Sequence, residues 1–201
     1  MITIFDKYRI ILASRSPRRQ QLLRDLGLTF DVVEMDYDET FPDNLQGKEA
    51  AIYLAKGKSS SFRKTIADNE IVITADTIVW CNNRAFGKPT DYHDARHMIR
   101  ELSGNTHEVI TGVNLLSSEK EVAFCESTKV TFEKLSDKEI DFYINKFKPF
   151  DKAGAYGIQE WIGIAACRSI EGSYFNVVGL PVQRVYAELR NLVRQLENIK
   201  K

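Results

Sequence analysis

The chain of 201 residues holds 28 lysines and arginines and 28 aspartates and glutamates, so its formal net charge is zero. Because such a chain has no general positive field, we expect no nucleic-acid partner, and an anionic ligand requires a local cluster of cations. The length and the 43% share of hydrophobic residues are those of a single globular domain over residues 1–201. Composition therefore favours a small phosphate-bearing ligand.

The sequence also indicates where the protein resides. No apolar run approaches the roughly 20 residues that span a bilayer, and residues 1–7 lack the charged-then-apolar pattern of a signal peptide. The cysteines Cys81, Cys125 and Cys167 are odd in number and widely spaced, which is typical of reduced thiols. We expect a cytoplasmic protein without membrane association.

Apolar spacing and the residues that cap or break it predict the elements of the chain. In chain order these are a strand at 9–13, a helix at 17–26, a strand at 30–34, a helix at 48–67, a strand at 71–75 continuing over 78–81, a helix at 91–102, strands at 106–116 and 122–132, a helix at 136–147, glycine-rich loops and strands over 152–166 and 174–178, and a final helix from 181. Strands and helices alternate in the first half, whereas strands cluster in the middle. This pattern favours an α/β fold with a mixed sheet over a purely parallel one.

The turn after the first strand combines a helix N-terminus with hydroxyl and guanidinium groups. Unpaired N–H groups and the positive end of the helix dipole suit a phosphate. Ser14 and Ser16 add hydroxyls, while Arg18 and Arg19 add forked donors for phosphate oxygens. A capped helix with solvated arginines is an equally good interpretation of this turn alone, although arginines in a first turn oppose the dipole.

Two carboxylates and two lysines are further candidates. Asp76 follows an apolar strand, where α/β folds place ligands, and would there hold a divalent metal or orient a water. Glu39 ends the acidic loop at 36–39 and is a candidate for the same roles. Lys58 and Lys88 are cations that suit a phosphate chain. Taken singly, each is more often a solvated or turn-bonded side chain.

The segment 151–159 holds two glycines and two alanines within five residues, which allows the backbone to approach a ligand closely. The amide of Gln159 carries both a donor and an acceptor, which suits the edge of uracil or thymine. A tight packing turn explains the same composition without a ligand.

Together these segments resemble the Maf family, the septum-formation-inhibitor-like proteins. The matching motifs are residues 12–19 with Leu22-Leu23, Ala75-Asp76-Thr77-Ile78-Val79, Gly87-Lys88-Pro89, Leu102-Ser103-Gly104, residues 151–159 and Val178-Gly179-Leu180-Pro181. They cover nearly the whole chain, from about residue 10 to 192, in the order and spacing of the family. Agreement of this length by chance is very improbable.

The resemblance implies an α/β fold similar to the ITP/XTP pyrophosphatases, with a mixed twisted sheet, flanking helices and two lobes around a central cleft. It implies hydrolysis of a nucleoside triphosphate between its α- and β-phosphates, with Mg²⁺ or Mn²⁺, in a homodimer. Residues carried over by position fall into three groups: catalytic and metal-binding Asp76 and Glu39; triphosphate-binding Ser14, Arg18, Lys58 and Lys88; and specificity-determining Arg19, Thr77 and Gln159.

The same positions distinguish branches of the family. The chain resembles the branch that acts on dTTP and UTP rather than the branch for 7-methyl-GTP. Arg18 follows Pro17 without an intervening aromatic residue, and Thr77 and Gln159 are present. Glu160 departs from the glycine that is frequent in the dTTP/UTP branch. A second hypothesis is a non-catalytic, nucleotide-binding regulator of cell division; the intact Asp76, Lys88 and Gln159 argue against it.

Overall fold

A computed structural model describes residues 3–35 and 37–199. Asp36, part of the predicted acidic loop, lies outside the described residues, as do Met1 and Ile2 of the segment tested for a signal peptide. Within the described residues, no helix is long and apolar enough to cross a membrane.

The elements are given by their first and last residues. The strands are β1 (Arg9–Ala13), β2 (Asp31–Val33), β3 (Glu70–Cys81), β4 (Arg84–Phe86), β5 (Thr106–Leu116), β6 (Glu121–Phe132) and β7 (Cys167–Glu171). The helices are α1 (Pro17–Asp25), α2 (Gly47–Ser59), α3 (Tyr92–Leu102), α4 (Asp137–Phe147), α5 (Trp161–Ala166), α6 (Tyr174–Val178) and α7 (Val182–Ile199).

Over the described ranges, the strands form one seven-stranded sheet in the order β2-β1-β3-β5-β6-β7, with β4 paired to β3. β1 runs parallel to β2 and to β3, with Leu12 beside Ile73. β4 is antiparallel to β3, and β7 is antiparallel to β6. The predicted α/β fold with a mixed sheet and flanking helices is therefore confirmed.

The chain divides into two compact units, which agrees with the two predicted lobes. The central cleft that the family resemblance implies remains a prediction. Unit 1 comprises residues 1–76, 111–125 and 179–201, and unit 2 comprises residues 77–110 and 126–178. In unit 1, Ile11 and Ala13 of β1 pack with Val72 and Leu116, while Leu12 is fully buried. Because β1 is covered on both faces, its carboxyl end has a fixed position.

Unit 2 has its own apolar core. Ile99 and Leu102 of α3 pack with Ile140 and Tyr143 of α4 and with Val130 of β6. A serine cap with its reciprocal glutamate bond begins α4, as the sequence predicts for Ser136 and Glu139.

The predicted helix at 48–67 is wrong in its second half, because α2 ends at Ser59. The hydroxyls of Ser59 and Ser60 donate to the carbonyls of Lys56 and Gly57, at 2.8 and 2.7 Å. Serine hydroxyls that bond the preceding turn compete with helical main-chain bonds, and a single 3₁₀ turn follows.

The glycine-rich segments were also predicted wrongly in part, because α5 and α6 are helices rather than loops or strands. Ile162 and Ala166 are buried at a spacing of four, which gives α5 an inward face. Gly163 lies against the carbonyl of Ile158, where a methyl group would overlap it. Burial of Ile162 and Ala166 in the core of unit 2 is a tertiary effect, which local composition does not reveal.

Unit 2 also buries a histidine. His107 on β5 is 1% exposed, and its Nε2 lies 2.8 Å from the hydroxyl of Tyr156. The ring meets Phe132 edge-on, and no hydrogen-bond partner of Nδ1 is found among the described residues. Burial lowers the pKa of His107 from 6.5 to about 4.

We predict that His107 makes the protein less stable in mild acid. Between pH 6.5 and about 4 the unfolded chain binds a proton at this residue and the folded chain does not. The free energy of unfolding therefore has its full value above pH 6.5 and loses about 3 kcal/mol as the pH falls to 4. Urea unfolding across this range should show a smaller loss for His107→Gln than for wild type. The control His97→Gln, at an exposed position, should keep the wild-type slope; equal slopes in all three proteins would contradict the prediction.

Candidate active site

Unit 1 contains an ion pair that is largely shielded from solvent. Asp76 is 6% exposed, and its Oδ1 accepts a hydrogen bond of 2.7 Å from the Nζ of Lys58. The side chain of Lys58 is itself only 12% exposed. The prediction that Asp76 ends its strand is wrong, because β3 continues through it to Cys81. Asp76 is thus held by sheet bonding on both sides along the chain.

A second carboxylate shares the same ammonium. The Nζ of Lys58 donates to Oε1 of Glu39 at 3.0 Å. The side chain of Glu39 is 36% exposed, whereas that of Asp76 is 8% exposed. One lysine therefore brings together a buried and a partly open carboxylate that lie 37 positions apart in the chain. Two of the predicted site residues, Asp76 and Glu39, thus both bond to a third, Lys58.

Three contacts fix α2, which carries Lys58. The hydroxyl of Thr74, two positions before Asp76, donates to the carbonyl of Ala55 at 2.7 Å. Asn114 on β5 donates to Ser59 at 2.7 Å. Gly112, also on β5, lies against the main chain of α2 so closely that a methyl group there would overlap it. Nothing in the sequence singles out Thr74 for this contact. Asn114 and Gly112 interrupt the apolar pattern of β5 and were the available signal.

The turn predicted after β1 is present in unit 1, while phosphate binding by this turn remains a prediction. Ser16 caps α1 by accepting from the N–H of Arg19, and Pro17 occupies the first turn. Ser14 is 8% exposed, and its Oγ accepts from the N–H of Ser16 at 3.2 Å. Arg18 is half-buried. Because Leu12 lies beside Ile73 in parallel strands, β1 ends in this turn at a level of the sheet close to that of Asp76 in β3.

Arg19 differs from the other arginines of the turn because it is buried. Its Nε and Nη1 donate to the main-chain carbonyls of Gly179 and Ala75, each at 2.9 Å. Burial lowers the pKa of Arg19, and the carboxylates of Asp76 and Glu39 oppose that shift. Arg19 therefore fastens the residue that precedes Asp76 and supplies positive charge to the same two carboxylates.

The remaining predicted residues lie in unit 2. Thr77 is half-buried and follows Asp76 on β3, so its side chain points to the opposite face. Lys88 and Gln159 are exposed. Their two segments meet, because the N–H of Gly154 donates to the carbonyl of Gly87 at 2.9 Å. This contact lies within unit 2.

Gly154 makes that meeting possible. Its φ is +68°, and an added methyl group would lie 2.9 Å from a methyl carbon of Val79. The tight packing turn and the amide of Gln159, which is exposed, therefore occur in the same segment.

Glu160 is part of a charged network that fixes the loop before it. Its Oε1 lies 3.1 Å from the Nζ of Lys152, and its Oε2 accepts from the hydroxyl of Tyr143. The same hydroxyl accepts from the N–H of Gly157 at 2.9 Å. Burial and the contact with Glu160 raise the pKa of Tyr143, which therefore remains protonated. The departure from glycine at position 160 thus orders the segment that presents Gln159.

The pair of carboxylates on Lys58 fits a hard divalent cation. Mg²⁺ is commonly bound through one or two carboxylates and completes its shell with water and substrate phosphates. Asp76 and Glu39 converge on one cation already, the ammonium of Lys58. Across 3–35 and 37–199, no group of three or more His, Cys, Asp or Glu residues is arranged as a metal cage. The donor set therefore suits a metal shared with a phosphate ligand.

Comparison with known sequences gives a consistent result. A family model described as Maf-like protein matches residues 9–192. The chain is 52% identical over 193 residues to the dTTP/UTP pyrophosphatase of Phocaeicola vulgatus, which covers 96% of this chain and 100% of the relative. It is 50% identical over 187 residues to the dTTP/UTP pyrophosphatase of Flavobacterium psychrophilum, covering 93% of this chain and 96% of the relative.

Among solved structures, the dITP/XTP pyrophosphatase of Mycobacterium abscessus is similar with a TM-score of 0.42 and 12% identity. The match covers 95% of this chain and 97% of that one. At this TM-score the likeness adds nothing to the sequence comparison.

We predict that Arg19→Met destabilises the protein by about 3 kcal/mol, because two buried carbonyls lose a charged donor. Arg24→Met is the control, since Arg24 is exposed on the same helix and donates to Gln20 at 3.2 Å. Denaturant unfolding should place the midpoint of Arg19→Met well below that of Arg24→Met. Coincident midpoints would show that the two carbonyl bonds contribute no stability.

Proposed function

The chain belongs to the Maf family, and we propose that it hydrolyses dTTP and UTP to the nucleoside monophosphate and pyrophosphate. The names of relatives that match nearly full length support this reaction. The observation that carries the proposal is the shared Lys58 ammonium, which holds the buried Asp76 and the more open Glu39 together. Such a group can orient a water and neutralise phosphate charge at one point.

In the proposed reaction, Asp76 orients the attacking water and accepts its proton. Lys58 donates to Oδ1 of Asp76, and we assign the second oxygen of this carboxylate to the water. The water adds to the α-phosphorus, the bond from that phosphorus to the bridging oxygen breaks, and pyrophosphate leaves. Burial of Asp76 favours this role because few solvent molecules compete for the carboxylate.

The cationic groups neutralise the triphosphate and the leaving pyrophosphate. Ser14 and Arg18 at the start of α1, with Lys58 and Lys88, are the proposed phosphate ligands. Phosphoryl transfer depends mainly on such positioning and charge neutralisation. A bound Mg²⁺ or Mn²⁺, held by Asp76 and Glu39, would add positive charge that polarises the phosphoryl oxygens.

Base choice is assigned to Arg19, Thr77 and Gln159. Gln159 is exposed, which suits a residue that meets a pyrimidine edge. Arg19 acts through the main chain of Ala75 and Gly179, to which it is bonded. We also infer that the protein is a cytoplasmic homodimer. We infer further that its substrates include modified pyrimidine nucleotides and that its hydrolysis removes unwanted nucleotides from the cellular pool.

Pyrophosphate release from a panel of dTTP, UTP, CTP, ITP and 7-methyl-GTP tests the proposed function. We expect the highest kcat/KM for dTTP and UTP. Preference for ITP would indicate a different base pocket. Binding of nucleotides without any pyrophosphate release would favour the non-catalytic regulator instead.

We predict that Asp76→Asn lowers kcat for dTTP by about 10²–10⁴-fold, because the amide does not accept the proton of the attacking water. Asp25→Asn is a suitable control, since Asp25 is exposed on α1 and accepts from Gln21. Steady-state pyrophosphate release measures both variants. Parental rates in Asp76→Asn would remove the assigned role.

We predict that chelation of divalent metal abolishes hydrolysis. We also predict that Glu39→Gln raises the metal concentration that the enzyme needs for its full rate. The Mn²⁺ concentration for half-maximal rate should rise about tenfold or more, because one of two anionic ligands is lost. Asp38→Asn serves as the control in the same loop, where Asp38 accepts from the N–H of Thr40. Equal Mn²⁺ dependence in both variants would contradict metal binding by Glu39.

A further inference from the structure

A glycine in α2 stands directly before Lys58. Gly57 is an unfavourable residue in the last turns of a helix, since glycine loses more backbone freedom than alanine on folding. A methyl group added at Gly57 would overlap the hydroxyl oxygen and the adjoining ring carbon of Tyr37. The hydroxyl end of Tyr37 therefore occupies the space that any other residue at position 57 would fill.

Tyr37 precedes Glu39 by two residues in a segment without regular structure, since residues 37–42 belong to neither a helix nor a strand. Its side chain is half-buried. Burial raises the pKa of Tyr37, and Tyr53, Asp38 and Asp76 raise it further. The phenol thus remains protonated and lies in the electrostatic field of Asp76.

We propose that contact between Tyr37 and Gly57 is a positioning device that holds the loop of Glu39 against α2. The contact joins the residue before Lys58 to a residue near Glu39, and so supports the bond of 3.0 Å between those two side chains. This inference rests on the proposed function, in which Glu39 and Asp76 serve the same reaction. Tyr37 acts through Glu39, so it is a positioning residue.

The contact can be tested by substitution without unfolding the protein. The atoms that a methyl group would meet are at the end of the Tyr37 side chain, which can swing away, rather than in the main chain. Gly57→Ala should therefore fold, and alanine should favour the helix itself. If Gly57 had only a structural role, Gly57→Ala would leave Glu39 unaffected once the Tyr37 side chain had moved away.

The test compares Gly57→Ala, Tyr37→Ala and the double variant with Lys56→Ala, which alters the exposed neighbour on the same helix. Four quantities are measured: amide hydrogen exchange of residues 37–41, Mn²⁺ affinity of the nucleotide-free protein, kcat/KM for dTTP and the thermal midpoint. Both single variants should speed exchange in the loop and lower Mn²⁺ affinity and kcat/KM by about 10–100-fold, the usual cost of losing a group that orients a metal ligand.

The double variant decides the mechanism. If Tyr37 and Gly57 act through one contact, Tyr37→Ala/Gly57→Ala should be no worse than either single variant. Lys56→Ala should match wild type, and the thermal midpoint of Gly57→Ala should not fall. Additive losses in the double variant, or faster exchange without any loss of Mn²⁺ affinity and kcat/KM, would overturn the proposal.

Failure of the proposed function has a different signature. A wild-type protein that releases no pyrophosphate from any nucleotide contradicts the hydrolysis, whereas exchange and Mn²⁺ affinity still report whether the contact positions Glu39. Unchanged exchange of residues 37–41 in Gly57→Ala would refute the positioning device even in an active enzyme.

Discussion

The ammonium of Lys58 between Asp76 and Glu39 is the interaction on which the proposed site depends. A carboxylate as buried as Asp76 is costly without a partner, and removal of the partner leaves an uncompensated charge. Lys58 satisfies that need and also draws in Glu39 from a loop. The pairing therefore assembles three separate parts of the chain and concentrates opposite charges where a phosphate and a metal would meet.

Much of the surrounding structure holds this pairing in place. α2 is fastened to the sheet through Thr74 and Asn114, so Lys58 has little freedom to leave its partners. Arg19 ties the residue before Asp76 to the chain near α7 and adds a second buried cation. In unit 2, Glu160 and Tyr143 order the loop of Gln159 by the same means, a charged group bonded inside the protein. Rigid supports of this kind favour catalysis because they avoid reorganisation during the reaction.

Local patterns predicted the elements whose cause is local. The bounds of β1 and β5, the cap at Ser16 and the capping box at Ser136 follow from adjacent residues, and the structure confirms them. The position of Asp76 inside β3 did not follow, because pairing with neighbouring strands decides where a strand ends. Gly57 is unfavourable inside a helix, and the reason for it is Tyr37, 20 positions earlier. The family resemblance brought Asp76, Glu39 and Lys58 together as candidates, but only the fold gives them a common contact.

A crystal structure with Mn²⁺ and a non-hydrolysable α,β-imido analogue of dTTP tests the central claim most directly. The account predicts an anomalous signal of Mn²⁺ coordinated by Asp76 and Glu39, with the α-phosphate of the analogue next to Asp76 and Lys58. An analogue bound with its α-phosphate away from these three side chains would contradict the assignment of the reaction to the Lys58 pairing.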